Sequence, residues 1–223
     1  MLTPLIIYED NHLLVVQKPP GFLAQPDGGP RPDILTWAGE YLARNKPGRA
    51  YVGLTHRLDR AVGGVMALAK TSKAAARLSR QFRERTAGKI YLALVSGSPA
   101  DESGRLERLL VRDGTVTRLA AAGEKGTLAI LDWRIRRRLG EYALLEVDLS
   151  TGFKHQIRAQ LAALGHPIVG DLKYGSPLAP EGPAIGLWAE SLTLEHPTLK
   201  ERRVFEAAPA AIWPWNLVND GIR

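Results

Sequence analysis

A group of ionisable residues stands directly before a strongly apolar segment. The six residues from Thr55 read Thr-His-Arg-Leu-Asp-Arg, and no charged side chain occurs between Val62 and Ala69. Charged groups need water or a partner, so packing alone does not explain four of them beside a buried strand. The group is therefore a candidate functional site. The alternative is a turn in which Asp59 caps the backbone and the arginines are solvated.

A second polar group stands where a helix is predicted to begin. The sequence Thr-Gly-Phe-Lys-His-Gln-Ile-Arg starts at Thr151, and Thr151 or Gly152 is the expected cap. Free N–H groups at a helix N-terminus bind anions, and Lys154 and His155 would strengthen such a site. Arg158 is expected on the same helix face as His155. The alternative is a basic helix that is exposed to solvent.

A third segment is rich in glycine. Residues 165–175 read Gly-His-Pro-Ile-Val-Gly-Asp-Leu-Lys-Tyr-Gly. Glycine and proline favour an irregular loop, and loops frequently carry functional residues. Taken alone, the segment is better explained as a structural loop.

Several chemistries are excluded by what the sequence lacks. Without cysteine there are no disulfides, thiolate metal ligands or cysteine nucleophiles. There is no G-x-x-x-x-G-K-[ST] loop, no G-x-G-x-x-G motif after a strand and no G-x-S-x-G elbow. The five histidines include no H-E-x-x-H or other tight ligand pair. An enzyme that depends on a metal, a nucleotide or a nicotinamide is not expected.

The positive charge is concentrated in one stretch of the chain. The formal net charge is +7, and residues 51–100 hold nine basic and two acidic residues, which is +7 in that stretch alone. A helix predicted over 72–84 places Lys73, Arg77 and Arg80 on one face. This local excess favours a nucleic acid as the partner.

Length and composition are those of a globular protein. The 223 residues are 45% hydrophobic and 24% charged, which excludes a disordered or fibrous chain. No linker or repeat divides the sequence, so one domain over residues 1–223 is expected. The sequence shows no signal peptide and no membrane-spanning run. We therefore expect a cytoplasmic protein, with a monomer as the default.

Hydrophobic patterns predict an α+β (mixed α/β) architecture. The predicted strands are Leu5–Tyr8, Leu13–Val16, Gly63–Lys70, Ile90–Val95, Leu128–Arg138 and Tyr142–Leu149. The predicted helices are Ile34–Arg44, 72–84 with a buried stripe of Ala75, Leu78 and Phe82, and His155–Leu164.

Together, the three polar segments resemble the signature elements of the RluA-type RNA pseudouridine synthases. H-R-L-D stands at His56 to Asp59, T-G-x-x-H-Q-I-R at Thr151 to Arg158, and G-H-P-I-x-G-D-x-x-Y-G at Gly165 to Gly175. Weaker matches, such as Lys89-x-Tyr91, extend the resemblance over nearly the whole chain. The resemblance implies the pseudouridine synthase catalytic fold, with a central mixed, mostly antiparallel sheet flanked by helices.

The family converts a uridine within RNA to pseudouridine, exchanging an N-glycosidic for a C-glycosidic bond without cofactor or metal. The resemblance implies that Asp59 is the catalytic aspartate and that Arg158 lies beside it, with a fork that binds both oxygens. It also implies that Tyr91 offers a face for the base and a phenol for proton transfer. Whether Asp59 attacks the base or the ribose C1′, or stabilises a sugar cation, stays open.

The resemblance also implies an RNA-binding surface. Arg57 would fill the space left by a flipped base, stack on its neighbours or bind phosphate. The other candidate RNA-binding residues are His56, Arg60, Lys73, Arg77, Arg80, Lys154 and His155. Family members often carry a small N-terminal RNA-binding module, whereas the match here starts at Leu5. We therefore expect that module to be absent and the substrate to be a compact stem–loop of ribosomal or transfer RNA.

The sequence departs from the family pattern at three places. Val62 opens V-G-G where T-S-G is common, Phe153 replaces an arginine, and Trp188 replaces the histidine of L-H-A. We expect these changes at the pocket rim or at phosphate contacts, where they would alter substrate choice more than chemistry. They also motivate an alternative, a catalytically impaired module that binds RNA. An enzyme acting on free nucleosides is a third possibility, which the local charge disfavours.

Overall fold

Packing divides the chain into two units. The computed structural model describes residues 2–44 and 50–219. Of these, residues 2–44, 50–88 and 189–208 form the first unit, and residues 89–188 and 209–219 form the second. The division follows contacts alone, and a single functional domain over residues 1–223 stays a prediction.

The described residues form a mixed α/β fold with few helices, as predicted. The strands are β1 (Leu5–Glu9), β2 (Leu13–Lys18), β3 (Gly53–Leu54), β4 (Gly63–Ala69), β5 (Gly88–Ser96), β6 (Ser103–Asp113), β7 (Val116–Leu119), β8 (Thr127–Leu139), β9 (Tyr142–Leu149), β10 (Leu187–Glu195) and β11 (Arg202–Glu206). The helices are α1 (Ile34–Ala43), α2 (Ser72–Arg83), α3 (Gln156–Ala163) and α4 (Asn216–Asn219), with a 3₁₀ helix at Leu172–Tyr174. Among residues 2–44 and 50–219, no helix is both long and apolar enough to cross a membrane.

The first unit is built on a sheet with the strand order β1-β2-β4-β10-β11, with β3 beside β4. The hairpin of β1 and β2 and the pairing of β2 with β4 are antiparallel. Every residue of β4 is buried, which confirms the prediction of a central strand. Apolar side chains of β2, β4, α2, β10 and β11 form the core of this unit.

Helix α2 packs on this core. Thr71 caps it, since its side chain accepts a hydrogen bond from the Ala74 N–H. Ala74 and Leu78 are the buried residues of the helix, and Ala75 and Phe82 are only partly buried. The predicted stripe is therefore shifted by one position at its N-terminal end.

Gly64 occupies a position where no larger residue fits. Its φ is +122°, and a Cβ would lie 2.1 Å from the Ala189 carbonyl oxygen. We expect Gly64→Ala to destabilise the fold by more than about 3 kcal/mol, because the backbone of β4 or β10 would have to move. Gly39 in α1 has open space around it, so Gly39→Ala should instead stabilise by about 0.5–1 kcal/mol. Denaturant unfolding measures both changes, and similar stability of Gly64→Ala and the parent would contradict the expectation.

The second unit is built on an antiparallel sheet with the strand order β5-β9-β8-β6-β7. The predictions of β5, β8 and β9 are confirmed, whereas β6 and β7 were not predicted. In β6 only Leu106 and Leu110 are buried, so the strand lacks the alternation that marks a half-buried strand. Helix α3 lies against this sheet, where the Gln160 side chain donates to the carbonyls of Leu106 and Ala129.

Candidate active site

The segment that begins at Thr55 forms a loop between β3 and β4, and its start is fixed to β4. The Thr55 hydroxyl donates to the Ala67 carbonyl (2.8 Å), and His56 Nε2 accepts from the Ala67 N–H (3.0 Å). The His56 ring stacks on Phe82 of α2, with 4.4 Å between ring centroids. These contacts give the loop a defined starting position and give His56 a structural role.

The far end of the loop is held by a buried lysine. Lys18 is fully buried at the end of β2, and its Nζ donates to the carbonyls of Phe22 (2.8 Å), Pro19 (3.1 Å) and Arg60 (3.4 Å). Burial lowers the pKa of Lys18 to about 7, and the negative charge of Asp59 acts in the opposite direction. A buried ammonium group, which carries its charge below about pH 7, therefore lies within electrostatic range of Asp59.

Asp59 is partly exposed at the end of this loop. Its carbonyl accepts from the Val62 N–H (3.0 Å), which closes a turn. Leu58 and Val62 are buried on either side, whereas Arg57 and Arg60 are exposed. The apolar residues thus anchor the loop, and the charged residues stay accessible to a substrate.

The buried Lys18 predicts that stability depends on pH. Its folded pKa of about 7 lies below the ordinary value of 10.5, so the unfolded chain binds more protons between these values. The free energy of unfolding should therefore rise from about pH 7 to about pH 10, with Lys18 adding up to about 1.4 kcal/mol per pH unit. Lys18→Met should remove that contribution, as measured by denaturant unfolding across this range. Lys70, whose ammonium pairs with Glu9 (2.6 Å), provides the control Lys70→Met. An unchanged slope in Lys18→Met would refute the assignment.

Tyr91 belongs to the second unit, on β5. It lies opposite Val147 of β9 and is half-buried, whereas residues 92–95 of the same strand are buried. The side chain therefore stands where the burial of the strand is incomplete. Its predicted contact with a target base stays a prediction.

The predicted cap of α3 is wrong. The helix begins at Gln156, and His155 precedes it in the left-handed conformation (φ 55°) without a side-chain cap. The Thr151 hydroxyl instead accepts from the Ile130 N–H (2.8 Å) and donates to Gln156 Oε1 (2.8 Å). These bonds hold the five residues from Thr151 as a loop against β8, so neither Thr151 nor Gly152 starts the helix.

This loop is also tied to β7 and to the 3₁₀ helix. The Tyr174 hydroxyl accepts from the Thr117 N–H (2.8 Å) and contacts His155 Nδ1 (2.8 Å). The Thr117 hydroxyl donates to the Lys154 carbonyl (2.7 Å). His155 is therefore engaged inside the protein, whereas the Lys154 side chain is exposed.

Arg158 is buried, and within the second unit it pairs with Asp171. Nε donates to Oδ2 (2.6 Å) and Nη2 to Oδ1 (2.8 Å), and the exposed fractions of the two residues are 8% and 2%. The guanidinium also lies over the Tyr174 ring, 4.9 Å from its centroid. The side edge of the guanidinium is thus occupied by Asp171. That Arg158 lies beside Asp59 stays a prediction, and the end edge of the guanidinium, formed by Nη1 and the second Nη2 hydrogen, is not used by Asp171.

The predicted RNA-binding residues of α2 differ in accessibility. Lys73 and Arg80 are exposed, and Arg80 approaches Glu84 at 4.0 Å. Arg77 is half-buried and donates to the Pro197 carbonyl (2.6 Å), which ties α2 to the segment after β10. RNA binding stays a prediction for all of them, and Arg77 has a structural contact in addition.

The departures from the family pattern lie largely in the cores. Val62 is 2% exposed, and Trp188 is fully buried against Trp215, with 6.2 Å between ring centroids. Only Phe153 is partly exposed. The Val62 and Trp188 side chains are therefore too buried to contact phosphate, contrary to that part of the expectation.

Sequence reasoning missed Lys18 and Asp171 as members of the candidate site. A signal for Lys18 was available, because the alternation Leu14, Val16, Lys18 places the lysine on an inward-facing side of β2. Asp171 stands inside a glycine-rich segment, and its type suggested no partner. Only the structure joins it to Arg158.

Comparison with known proteins agrees with this architecture. Among solved structures, human RNA Pseudouridylate Synthase Domain Containing 4 superposes with a TM-score of 0.77 at 24% identity, covering 92% of this chain and 88% of its own. At that identity the match shows a shared fold.

Sequence comparison is more specific. The family described as RNA pseudouridylate synthase matches residues 12–163. The dual-specificity RNA pseudouridine synthase RluA of Haemophilus ducreyi is 34% identical over 91% of this chain and 92% of its own length. An uncharacterized RNA pseudouridine synthase of Synechocystis is also 34% identical, and the chain spans 62% of that relative's length. The chain is thus a member of the RluA-type RNA pseudouridylate synthase family, a family of isomerases.

Proposed function

We propose that this protein is a cytoplasmic RNA pseudouridine synthase that isomerises a specific uridine in structured ribosomal or transfer RNA. The observation that carries the proposal is the fixed loop of Asp59. The buried Lys18 cation and the contacts of His56 with β4 hold this loop at both ends. A carboxylate on an immobilised loop between exposed arginines suits chemistry on a polyanionic substrate.

Asp59 supplies the carboxylate of the proposed reaction. It attacks the uracil ring or the ribose C1′, or stabilises the sugar cation, while the N-glycosidic bond breaks and the C-glycosidic bond forms. The target base must leave its stack to reach a group on a protein loop. Arg57, exposed two residues before Asp59, is the proposed occupant of the vacated space.

Tyr91 and Arg158 are the proposed partners of Asp59 in the reaction. The Tyr91 ring is the proposed face for the uracil, and its hydroxyl is the proposed site of proton transfer. Arg158 carries a permanent positive charge, which would attract the Asp59 carboxylate. No cofactor or metal enters these steps.

Phosphate binding is assigned to the exposed cations of the two units. Arg57, Arg60, Lys73 and Arg80 are exposed in the first unit, and Lys154 is exposed in the second. Each cation that meets a phosphate releases counterions, so binding should weaken as salt rises. Sequence choice would come from bases splayed out of a loop.

The double variant Lys73→Gln/Arg80→Gln should reduce the salt dependence of RNA binding. Loss of two phosphate contacts lowers the slope of log affinity against log salt concentration by about 1.5. Filter binding to total ribosomal and transfer RNA at several salt concentrations measures it. Lys200→Gln, which removes an exposed cation paired with Glu195, is the control and should leave the slope unchanged. Equal slopes in all three proteins would remove this face of α2 from the interface.

The proposed activity is tested by mapping pseudouridine in total RNA from cells with and without the gene. Cells rescued with the wild-type chain or with Asp59→Asn complete the comparison. A uridine modified only when the wild-type chain is present would establish the activity and its target. Unchanged pseudouridine in ribosomal and transfer RNA would refute the proposal and favour the RNA-binding module.

A further inference from the structure

The glycine-rich segment 165–175 has no role in the proposed reaction. It nevertheless holds a buried carboxylate, that of Asp171, which contacts Arg158. Asp171 is 2% exposed, and both of its oxygens receive hydrogen bonds from Arg158, at 2.6 and 2.8 Å. Bringing two charges out of water costs several kcal/mol per ion, and an apolar pair of similar volume is often as stable. Stability is therefore a weak explanation for this pair, and a fixed orientation of the guanidinium is a stronger one.

The backbone around Asp171 is rigid. Its N–H donates to the Ile168 carbonyl (3.0 Å), and its own carbonyl accepts from Tyr174 and Ser176. Gly170, the preceding residue, has φ +81°, and a Cβ there would lie 2.4 Å from the Trp213 ring. The carboxylate thus projects from a main chain that has little freedom to move.

Tyr174 adds a second constraint on Arg158. Its ring lies under the guanidinium, and its hydroxyl is held by the Thr117 N–H and His155 Nδ1. With Asp171 on the side edge and the ring against one face, rotation of the guanidinium about its Nε–Cζ axis is restrained. The end edge of the guanidinium, which Asp171 does not use, therefore has one preferred orientation.

We propose that Asp171 is a positioning residue, which fixes the orientation of the end edge of Arg158 that the proposed reaction uses. The inference rests on the proposed function, because it assigns Asp171 to that reaction through Arg158. Asp171 itself touches neither RNA nor the reacting atoms. Its carboxylate acts by fixing the donor geometry of Arg158, in the manner of a preorganised charge.

The proposal predicts a loss of rate without a loss of binding in Asp171→Asn. An amide offers one acceptor and turns its NH₂ group toward the guanidinium, so one of the two bonds is lost and the end edge is released. With excess protein and total RNA from gene-deleted cells, the single-turnover rate at the mapped uridine should fall at least tenfold. The dissociation constant for the same RNA should change by less than about twofold. Asp171→Glu keeps the charge and should recover part of the rate.

Two further measurements separate positioning from folding. Val169→Ala, a core truncation in the same segment, should lower the melting temperature and leave the rate unchanged. The ¹⁵N–¹H resonances of the Arg158 guanidinium should show slow rotation in the parent and faster rotation in Asp171→Asn. If Asp171→Asn does not fold, the single-turnover rate and the Arg158 resonances are measured in Asp171→Glu instead.

The outcomes distinguish this inference from the proposed function. A parent protein that forms no pseudouridine refutes the proposed function, and the Arg158 resonances then still decide whether Asp171 fixes the guanidinium. An active parent together with a wild-type rate in Asp171→Asn overturns the inference alone. Equal rate losses in Val169→Ala and Asp171→Asn would also overturn it, because the effect would then follow stability.

Discussion

Asp59→Asn is expected to abolish pseudouridine formation. The amide has nearly the shape of the carboxylate but lacks its charge and its nucleophilic oxygen. Removing an essential catalytic group of an enzyme typically lowers turnover by about 10⁴-fold or more. The loop should keep its position, because Lys18 donates to the Arg60 carbonyl and the side chains of Thr55 and His56 bond the Ala67 backbone.

RNA binding should survive the Asp59→Asn substitution. The substitution removes one negative charge next to Arg57 and Arg60, so the affinity should stay equal or rise slightly. Quantifying pseudouridine at the mapped position, together with filter binding, separates turnover from affinity. Glu84→Gln, which removes an exposed carboxylate at the C-cap of α2, is the charge-matched control and should keep full turnover. Substantial turnover by Asp59→Asn would end the assignment of Asp59.

Asp59→Asn also links the candidate site to the pH dependence of stability. The charge of Asp59 raises the pKa of Lys18 against the effect of burial. Without that charge the pKa of Lys18 should fall further, so the range in which stability rises with pH should begin at a lower pH. A shift of the range in this direction would support the proximity of the two charges independently of any activity.

Arg158→Met is expected to be among the most destabilising single substitutions. It removes the cation and leaves the Asp171 carboxylate buried without its two bonds. Breaking a buried pair in this way costs about 3–5 kcal/mol. The double variant Arg158→Met/Asp171→Leu should recover most of this loss, because an apolar pair fills the site without an unpaired charge.

Turnover should respond differently from stability in these Arg158 variants. Arg158→Lys keeps a positive charge but cannot form two parallel bonds and also present an end edge, so it should fold and lose most of its activity. Arg158→Met/Asp171→Leu should fold and be inactive. Denaturant unfolding and single-turnover assays on the same preparations measure both properties. Full activity of Arg158→Lys would show that only the charge of Arg158 matters. A stable Arg158→Met would contradict the cost assigned to leaving the Asp171 carboxylate buried without its two hydrogen bonds.

Local sequence patterns determined most of the framework. Apolar runs predicted β2 and β4, and the strand predicted over Leu128–Arg138 corresponds to β8. The sequence offered Thr71 and Ser72 as caps of α2, and the structure shows Thr71 in that role. These predictions succeed because strand and helix periodicity and capping depend on neighbours within a few residues. The strand β6 escaped prediction because its burial is incomplete and irregular.

The identity of the chemical groups was also visible in the sequence. Their types and order point to the family, and with it to Asp59, Tyr91 and Arg158. The local excess of positive charge was also visible in the sequence. It could not separate Lys73, which is exposed, from Arg77, which is tied to Pro197, because both fall on the same predicted face.

Only the tertiary structure shows which partner holds each polar side chain of the candidate site. Lys18 reaches Arg60 across 42 residues, Thr117 reaches Tyr174 across 57, and Arg158 takes the carboxylate of Asp171. Hydrogen bonds and ion pairs act over about 3 Å in space whatever the separation along the chain, so no local pattern encodes these partners. The residue types that can react are therefore written in the sequence, whereas their orientation and the burial of their charges arise only when distant segments pack together.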